Sequence, residues 1–506
     1  MRSEFFIRPI WICGRFNSDK HAALIYNLIE GLVYFFKGQA ADIVGEIIKT
    51  DPNKELSIYD LCLKFSIRKD KLHSFLCDLL QRGILSPKIM DETGILNYRR
   101  QVGEKRLDYL KSHPFSADIT VEESAENAYR EYVNPTIGVV QIELTYNCSE
   151  RCVHCYNPGA TRNDNEKSKR YRGNELKLDD YIRIIDELYN LGVYKINLTG
   201  GDPFSKPIIW DIVAYLHKKG IAFDIYTNGQ VLSDKESMNR LLTYFPKSVS
   251  VSVYGGDETV HDRITRVSGS FNKTMDTLEQ LSAFGVPFAI KCSIMKWNIK
   301  SYPAVVDIAK RYGGIIQYDY KLIDSLDGDK CVSHYFLLDE DELELVMQDD
   351  YVREKIYVEE KVMKDDKPCN AGYLFFCISP EGNVQPCNSF PWSLGNLKEQ
   401  SFSDILNHSS RLKEWRKTRV SDFVECGHFD YCNYCNICVG NNYCENGSLF
   451  KPSALSCKLA KVRYKLIKRK EKGISRISRN ALLDALSKID VNLQIPHKMQ
   501  GENYRV

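Results

Sequence analysis

The chain lacks any surplus of charge and any long apolar run. Its 506 residues hold 69 Lys and Arg against 67 Asp and Glu, a formal net charge of +2, so no global field draws it to nucleic acid or to an anionic membrane. No stretch reaches the length that spans a bilayer. The opening Met1-Arg2-Ser3-Glu4-Phe5-Phe6-Ile7-Arg8 interrupts its short apolar segment with charges, unlike a secretory signal. These absences predict a cytoplasmic protein with no nucleic-acid and no membrane partner. Reducing conditions work against structural disulfides, so 17 cysteines point to metal or redox chemistry.

A further absence sits inside the most telling stretch, Leu144 to Asn157. Cys148, Cys152 and Cys155 are spaced C-x₃-C-x₂-C with no fourth cysteine nearby. A closed tetrahedral zinc site or an ordinary iron–sulfur cluster needs four ligands. A [4Fe–4S] cluster on three thiolates keeps one iron open, and an open iron can chelate a small molecule and pass it an electron. The competing readings are a zinc knuckle that borrows His154 and three unrelated core cysteines. Nine other cysteines fall between Cys369 and Cys457, while Cys13, Cys62, Cys77, Cys292 and Cys331 are scattered singly as buried small hydrophobes or incidental thiols.

Along the chain, aromatic and branched residues at Phe5 to Cys13 and Ala22 to Phe36, with Gly31 between two apolar runs, predict a small antiparallel sheet. Helical patterns follow at Ala40–Lys49, Ser57–Phe65 and Lys69–Gln81, a winged-helix-like arrangement. Residues 93–134 are charged and broken by Pro114, which reads as a linker with some helix. From Ile137 to Ser325, strands are predicted near Val139–Leu144, Lys195–Leu198, Ala222–Tyr226, Ser248–Tyr254, Phe288–Ile294 and Ile315–Tyr320. Amphipathic helices alternate with them at Leu178–Leu191, Ile208–Lys219, Ser233–Tyr244, Asn272–Phe284 and Lys300–Arg311. That alternation predicts an α/β fold, a partial (β/α)₆ TIM-like barrel, with its chemistry at the carboxyl ends of the strands. Motifs stand at those ends: the triplet after strand one, Thr199-Gly200-Gly201-Asp202-Pro203 after strand two, Tyr226-Thr227-Asn228-Gly229 after strand three, and Ser250-Val251-Ser252 with Arg266 after strand four. Paired glycines let a ligand approach the backbone, and a carboxylate can meet an ammonium group.

The triplet followed by the aromatic Tyr156, with these motifs in order, resembles the radical S-adenosylmethionine (SAM) superfamily. The resemblance implies an open iron that binds the amino and carboxylate groups of SAM. It makes Tyr156, Gly200, Gly201, Asp202, Thr227, Asn228, Ser252 and Arg266 candidate SAM contacts; Asp202 stands where the family usually has Glu. Reductive cleavage of SAM would give methionine and a 5′-deoxyadenosyl radical, with flavodoxin or ferredoxin as external electron donor.

The later cysteines, Cys369, Cys387 in a Pro380-Glu381-Gly382 hairpin, then Cys432-x₂-Cys435-x₂-Cys438-x₅-Cys444 and Cys457, resemble the SPASM extension, which holds up to two auxiliary [4Fe–4S] clusters. Aligned on that pattern, Cys435, Cys438, Cys444 and Cys457 make one complete four-thiolate set. The other set keeps Cys369 and Cys387, has Ser448 where a cysteine belongs, and leaves Cys377, Cys426 or Cys432 as substitutes. Zinc remains an alternative here, since C-x₂-C pairs suit it equally. The basic run Lys458 to Lys472 reads as a solvated helix face.

Ahead of a radical SAM core, the amino-terminal unit resembles the recognition element of enzymes that modify ribosomally made peptides, with a leader held near Gly31–Phe36 and Lys69–Leu80. The expected division is 1–92 recognition element, 93–134 linker, 135–330 radical SAM core, 331–365 bridge, 366–462 SPASM domain and 463–506 basic tail. The expected activity is an oxidative crosslink in a precursor peptide, thioether or carbon–carbon or ether. The alternatives are a formylglycine-generating sulfatase-type maturase and a redox-sensing winged-helix DNA-binding protein. No catalytic general base is identifiable.

Overall fold

The computed structural model describes residues 6–112, 119–158, 174–326, 335–352 and 365–491, with Val332 and Leu493. Cys331, Pro114 and parts of the expected bridge and tail lie outside the described residues.

Strands β1 (Ile12–Asn17), β2 (Ala22–Asn27) and β3 (Leu32–Lys37) pair antiparallel in sequential order. The first strand lies further along than its apolar start suggests. Ile7 makes only isolated bridges to Glu55 and Ser86, whereas the polar turn after Asn17, closed by the Lys20 N–H on the Asn17 side-chain oxygen at 2.9 Å, sets the β1–β2 register. Gly31, at φ 74°, makes the next turn. Helices Gly38–Lys49, Ile58–Phe65 and Lys69–Gln81 follow. The third buries Leu72, Leu76 and Leu79, and Arg68 at its entrance pairs with Asp70. Lys69 and Lys71 in its first turn are exposed.

Residues 93–134 are not a plain linker. Helix Glu92–Ser112 and helix Ile119–Val133 pack between the amino-terminal sheet and the next domain. Arg106 donates both to the Ile29 carbonyl (2.8 Å) and to the Gly285 carbonyl (3.2 Å). Glu126 accepts from the Tyr26 hydroxyl at 3.0 Å and pairs with Lys195 at 3.2 Å. The charges that made this segment look like a linker are the groups that join the two bodies.

Branched strands alternate with amphipathic helices through β4 (Val139–Glu143), β5 (Lys195–Thr199), β6 (Ala222–Thr227), β7 (Ser248–Ser252), β8 (Phe288–Ser293) and β9 (Ile315–Asp319), each parallel to the next. The intervening helices bury a single face; in Leu178–Asn190 it is Tyr181, Ile184, Ile185 and Leu188. A short helix, Glu258–Thr265, capped by the Asp257 carboxylate, was not anticipated. The carboxyl region adds β10 (Phe375–Ile378), β11 (Asn383–Gln385) and β12 (Gly395–Asn396). β10 runs parallel to β4, with Cys377 beside Gln141, so the cysteine-rich region continues the barrel sheet to nine strands.

The basic tail is also integrated. Helix Ala454–Glu471 crosses the expected boundary at 462/463 and buries Leu459, Val462, Leu466 and Ile467. Its cations face the acidic helix Glu340–Gln348, with Lys461 3.5 Å from Glu340, Lys465 3.6 Å from Glu340 and Arg469 2.5 Å from Glu344. The basic face stays solvent-exposed, as expected, and its acidic partners are a segment of the same chain.

A Cβ on Gly103 would lie 2.5 Å from the Gly285 Cα. Gly103→Val is therefore expected to push helix Glu92–Ser112 off the barrel and cost about 1–3 kcal/mol, read as a lowered denaturation midpoint; an unchanged midpoint would show that this contact does not hold the two bodies together.

Candidate active site

The loop after β4 carries the triplet. The Arg151 and Val153 N–H groups donate to the Thr265 and Ile264 carbonyls at 2.9 and 3.0 Å, so the unanticipated helix Glu258–Thr265 ends against it. Arg266, in the left-handed region at φ 57°, donates through Nε to the Arg151 carbonyl at 2.6 Å. The triplet is thereby clamped from β7's side.

β5 clamps it from the other. The Gly201 N–H donates to the Thr145 carbonyl at 2.6 Å and the Asp202 N–H to the Asn147 carbonyl at 2.9 Å. A Cβ on Gly200 or Gly201 would lie 2.2 Å from the Thr145 or Asn147 oxygen. The two glycines admit the backbone of the cysteine loop. Asp202 sits beside them. Its carboxylate, 1 % exposed, accepts from the Thr227 hydroxyl at 2.6 Å and from the Asn228 and Phe204 N–H groups at 2.9 Å. It ties the ends of β5 and β6 together, and Asn228 then donates to Ser149 at 3.0 Å and to the Cys148 sulfur at 3.4 Å. Thr227 and Asn228 thus reach the triplet through one network. Ser252, at the end of β7, hydrogen-bonds Tyr254, which meets His154 edge-on at 4.7 Å.

Several residues here carried no motif. Glu150, between two cysteines, accepts from the Cys152 thiol at 3.4 Å, and burial raises its carboxyl to about 8. Glu143 closes β4, accepts from the Tyr156 hydroxyl at 3.2 Å, and is raised by burial to about 7. An acid inside the triplet was the available signal for Glu150; Glu143 and Tyr254 had none. Tyr156 therefore faces Glu143, with Asn388 of the cysteine-rich region also bonded to it.

A three-thiolate cluster fits this donor set. Burial raises all three thiols, Cys155 to about 11 with Arg151 only partly offsetting it, while Cys148 and Cys152 rise further. Thiols so placed ionise when metal supplies the positive charge. Glu143 Oε2, Glu150 Oε1 and His154 Nδ1 are buried around them without a hydrogen-bond partner among the described residues, polar atoms that await a polar occupant.

The later cysteines fall into two groups. Cys369, Cys387 and Cys438 act on one another, and the Cys444 sulfur lies 3.8 Å from the carbonyl of Ser389, two residues after Cys387. Cys426, Cys432, Cys435 and Cys457 form the second group. The spacing-based set of Cys435, Cys438, Cys444 and Cys457 is therefore split, because Cys438 begins helix Val439–Asn446 and that helix packs on the Ser389 turn, where a Cβ on Gly440 would lie 2.3 Å from the Ser389 oxygen. Cys377, fully buried in β10, faces Glu143 and Cys387.

Comparison with known proteins agrees with this geometry. Residues 142–306 match the radical SAM superfamily and residues 369–439 match SPASM, an iron–sulfur cluster-binding domain. The chain is 26% identical over 323 residues to the AdoMet-dependent heme synthase of Methanosarcina barkeri, covering 59% of this chain and 89% of that one. It is 28% identical over 307 residues to the antilisterial bacteriocin subtilosin biosynthesis protein AlbA of Bacillus subtilis, covering 59% of this chain and 65% of AlbA. Among solved structures, Streptococcus suis SuiB bound to its precursor peptide SuiA superposes with a TM-score of 0.54 at 15% identity, over 89% of this chain and 99% of SuiB. Together with the strand-end geometry, these matches show that the chain carries a radical SAM domain over residues 142–306 and a SPASM iron–sulfur cluster-binding domain over residues 369–439.

Proposed function

We propose that the protein cleaves SAM reductively and uses the radical to install an oxidative crosslink, most simply a thioether, in a ribosomally made precursor peptide. The observation that carries this reading is the extent of the fold likeness to SuiB, which runs through 89% of the chain and so takes in more than the barrel and SPASM segments that occupy residues 142–306 and 369–439. AlbA and the PqqA peptide cyclase of Granulibacter bethesdensis, at 25% identity over 306 residues, support it. Heme synthesis is the second reading, favoured by the M. barkeri relative.

Cys148, Cys152 and Cys155 would hold a [4Fe–4S] cluster, which would supply one electron to a SAM sulfonium. The chain's own residues do the rest. Asp202 fixes Thr227 and Asn228, Asn228 orients Cys148, and the buried ring of Tyr254 helps keep water from the triplet. Glu143, Tyr156 and Asn388 form the polar wall between the triplet and the cysteine-rich region. The leader is assigned to the β3 side of the amino-terminal unit, where β3 pairs only with β2 among the described residues and presents Phe36 toward Phe75 at 6.4 Å. An added strand along that edge would gain backbone hydrogen bonds and aromatic contacts. No described helix is long and apolar enough to cross a membrane; a cytoplasmic setting with flavodoxin or ferredoxin as electron donor completes the proposal.

Changing Cys148, Cys152 and Cys155 to Ala is expected to abolish 5′-deoxyadenosine formation on dithionite reduction; unchanged product would overturn the assignment of the triplet. Phe36→Ala with Phe75→Ala is expected to weaken precursor-peptide binding about tenfold or more, the equivalent of roughly 1.4 kcal/mol, while peptide-independent SAM cleavage continues. Undiminished peptide affinity would remove the recognition role.

A further inference from the structure

The segment Phe423–Cys435 folds back on the first turn of helix Ala454–Glu471 and leaves a cavity of about 430 Å³. Four of the residues that line it are cysteines, Cys426, Cys432, Cys435 and Cys457; Cys438 and Cys444 are not among the lining residues. The four come from three places in the chain, with Cys432 and Cys435 sharing one turn, and each is already set by its backbone. The Cys426 N–H donates to the Phe423 carbonyl at 2.8 Å, Cys432 to Phe429 at 2.9 Å, Cys435 to Cys432 at 3.1 Å, and Cys457 to Ser453 at 3.1 Å.

The thiols also sense one another. Burial and then the charges of Cys457, Cys426 and Cys432 push Cys435 up to about 12, with the Arg463 guanidinium opposing them. Cys426 feels Cys457 and Cys432, and Cys457 feels Cys432. These are four thiols around a hollow rather than around a point. Zinc draws its ligands to one centre, whereas a four-iron cube takes a thiolate at each corner and needs room between them.

We propose that Cys426, Cys432, Cys435 and Cys457 are the complete ligand set of one auxiliary [4Fe–4S] cluster, and that Cys438 serves the other cluster with Cys369 and Cys387. The assignment rests on the auxiliary-cluster reading of the SPASM domain and adds Cys426, which the spacing pattern does not select. It also orders the clusters in space. Cys438 lies within the influence of Asp319 and Lys321 at the end of β9, and Cys387 adjoins Asn388, which bonds Tyr156. The Cys369–Cys387–Cys438 group is thus the inner one, beside the barrel. The second group is outer, lined by the exposed Val424 and Phe429.

The test is cysteine-by-cysteine alkylation of the full chain after anaerobic reconstitution with iron and sulfide, read by mass spectrometry beside an iron and zinc count. In Cys426→Ala, Cys432, Cys435 and Cys457 are expected to react at least tenfold faster than in the parent protein, while Cys369, Cys387 and Cys438 stay protected and iron falls by about four atoms per chain. Cys457→Ala, on a different element, is expected to expose Cys426 in the same way. Cys438→Ala should leave the outer four protected. Continued protection of Cys432, Cys435 and Cys457 in Cys426→Ala, or their exposure in Cys438→Ala, overturns the grouping. A parent protein in which only Cys148, Cys152 and Cys155 are protected, or in which zinc replaces iron, overturns the auxiliary-cluster reading itself and this assignment with it.

Discussion

The active end of the barrel depends on a backbone-to-backbone interlock between two strand ends. The loop after β4 and the turn after β5 approach so closely that neither Gly200 nor Gly201 has space for a methyl group. Their N–H and carbonyl groups close the gap through Gly201 to Thr145 and Asp202 to Asn147. Asp202 then extends the lock to β6 through two hydrogen bonds, from Thr227 and Asn228, with a third from Phe204 in its own turn, all in a dry setting where each is electrostatically stronger than in water. The position of Cys148 follows, because Asn228, held by Asp202 through its backbone, presents its amide to that sulfur. A shorter acid at this position suits the distance, since Asp202 works between neighbouring strand ends.

Much of this architecture could be read from residue order. Branched runs such as Val139–Glu143 and Ser248–Ser252 separated by amphipathic helices declared the parallel sheet, and the strand-end motifs declared which face carries the chemistry. The roles of individual groups were harder to read. A Gly-Gly-acid turn has the same spelling whether a ligand or another loop lies against it, and only the neighbouring backbone decides. Glu143 ends a strand like any polar residue, and its significance comes from burial against Tyr156.

The auxiliary cysteines show the same limit. Spacing along the chain places Cys435 and Cys438 together, yet two residues separate a thiol that faces the outer cavity from one that caps helix Val439–Asn446 and faces the barrel. That partition is set by how Phe423–Cys435 folds back, a long-range event. The basic tail was more decipherable than it looked. Its Lys461, Lys465 and Arg469 repeat at helical spacing, and the run Asp339-Glu340-Asp341-Glu342 with Glu344 offers the opposite charge more than a hundred residues earlier.

Because β10 pairs with both β4 and β11, the loop that bears Cys148 after β4 and the turn that bears Cys387 after β11 hang from one continuous sheet, with β10 between their strands. A sheet of this kind resists stretching, so strand spacing sets the distance between the triplet and the inner thiol group. Under the proposed function, that hydrogen-bonded ladder would act as a ruler for electron transfer between the two.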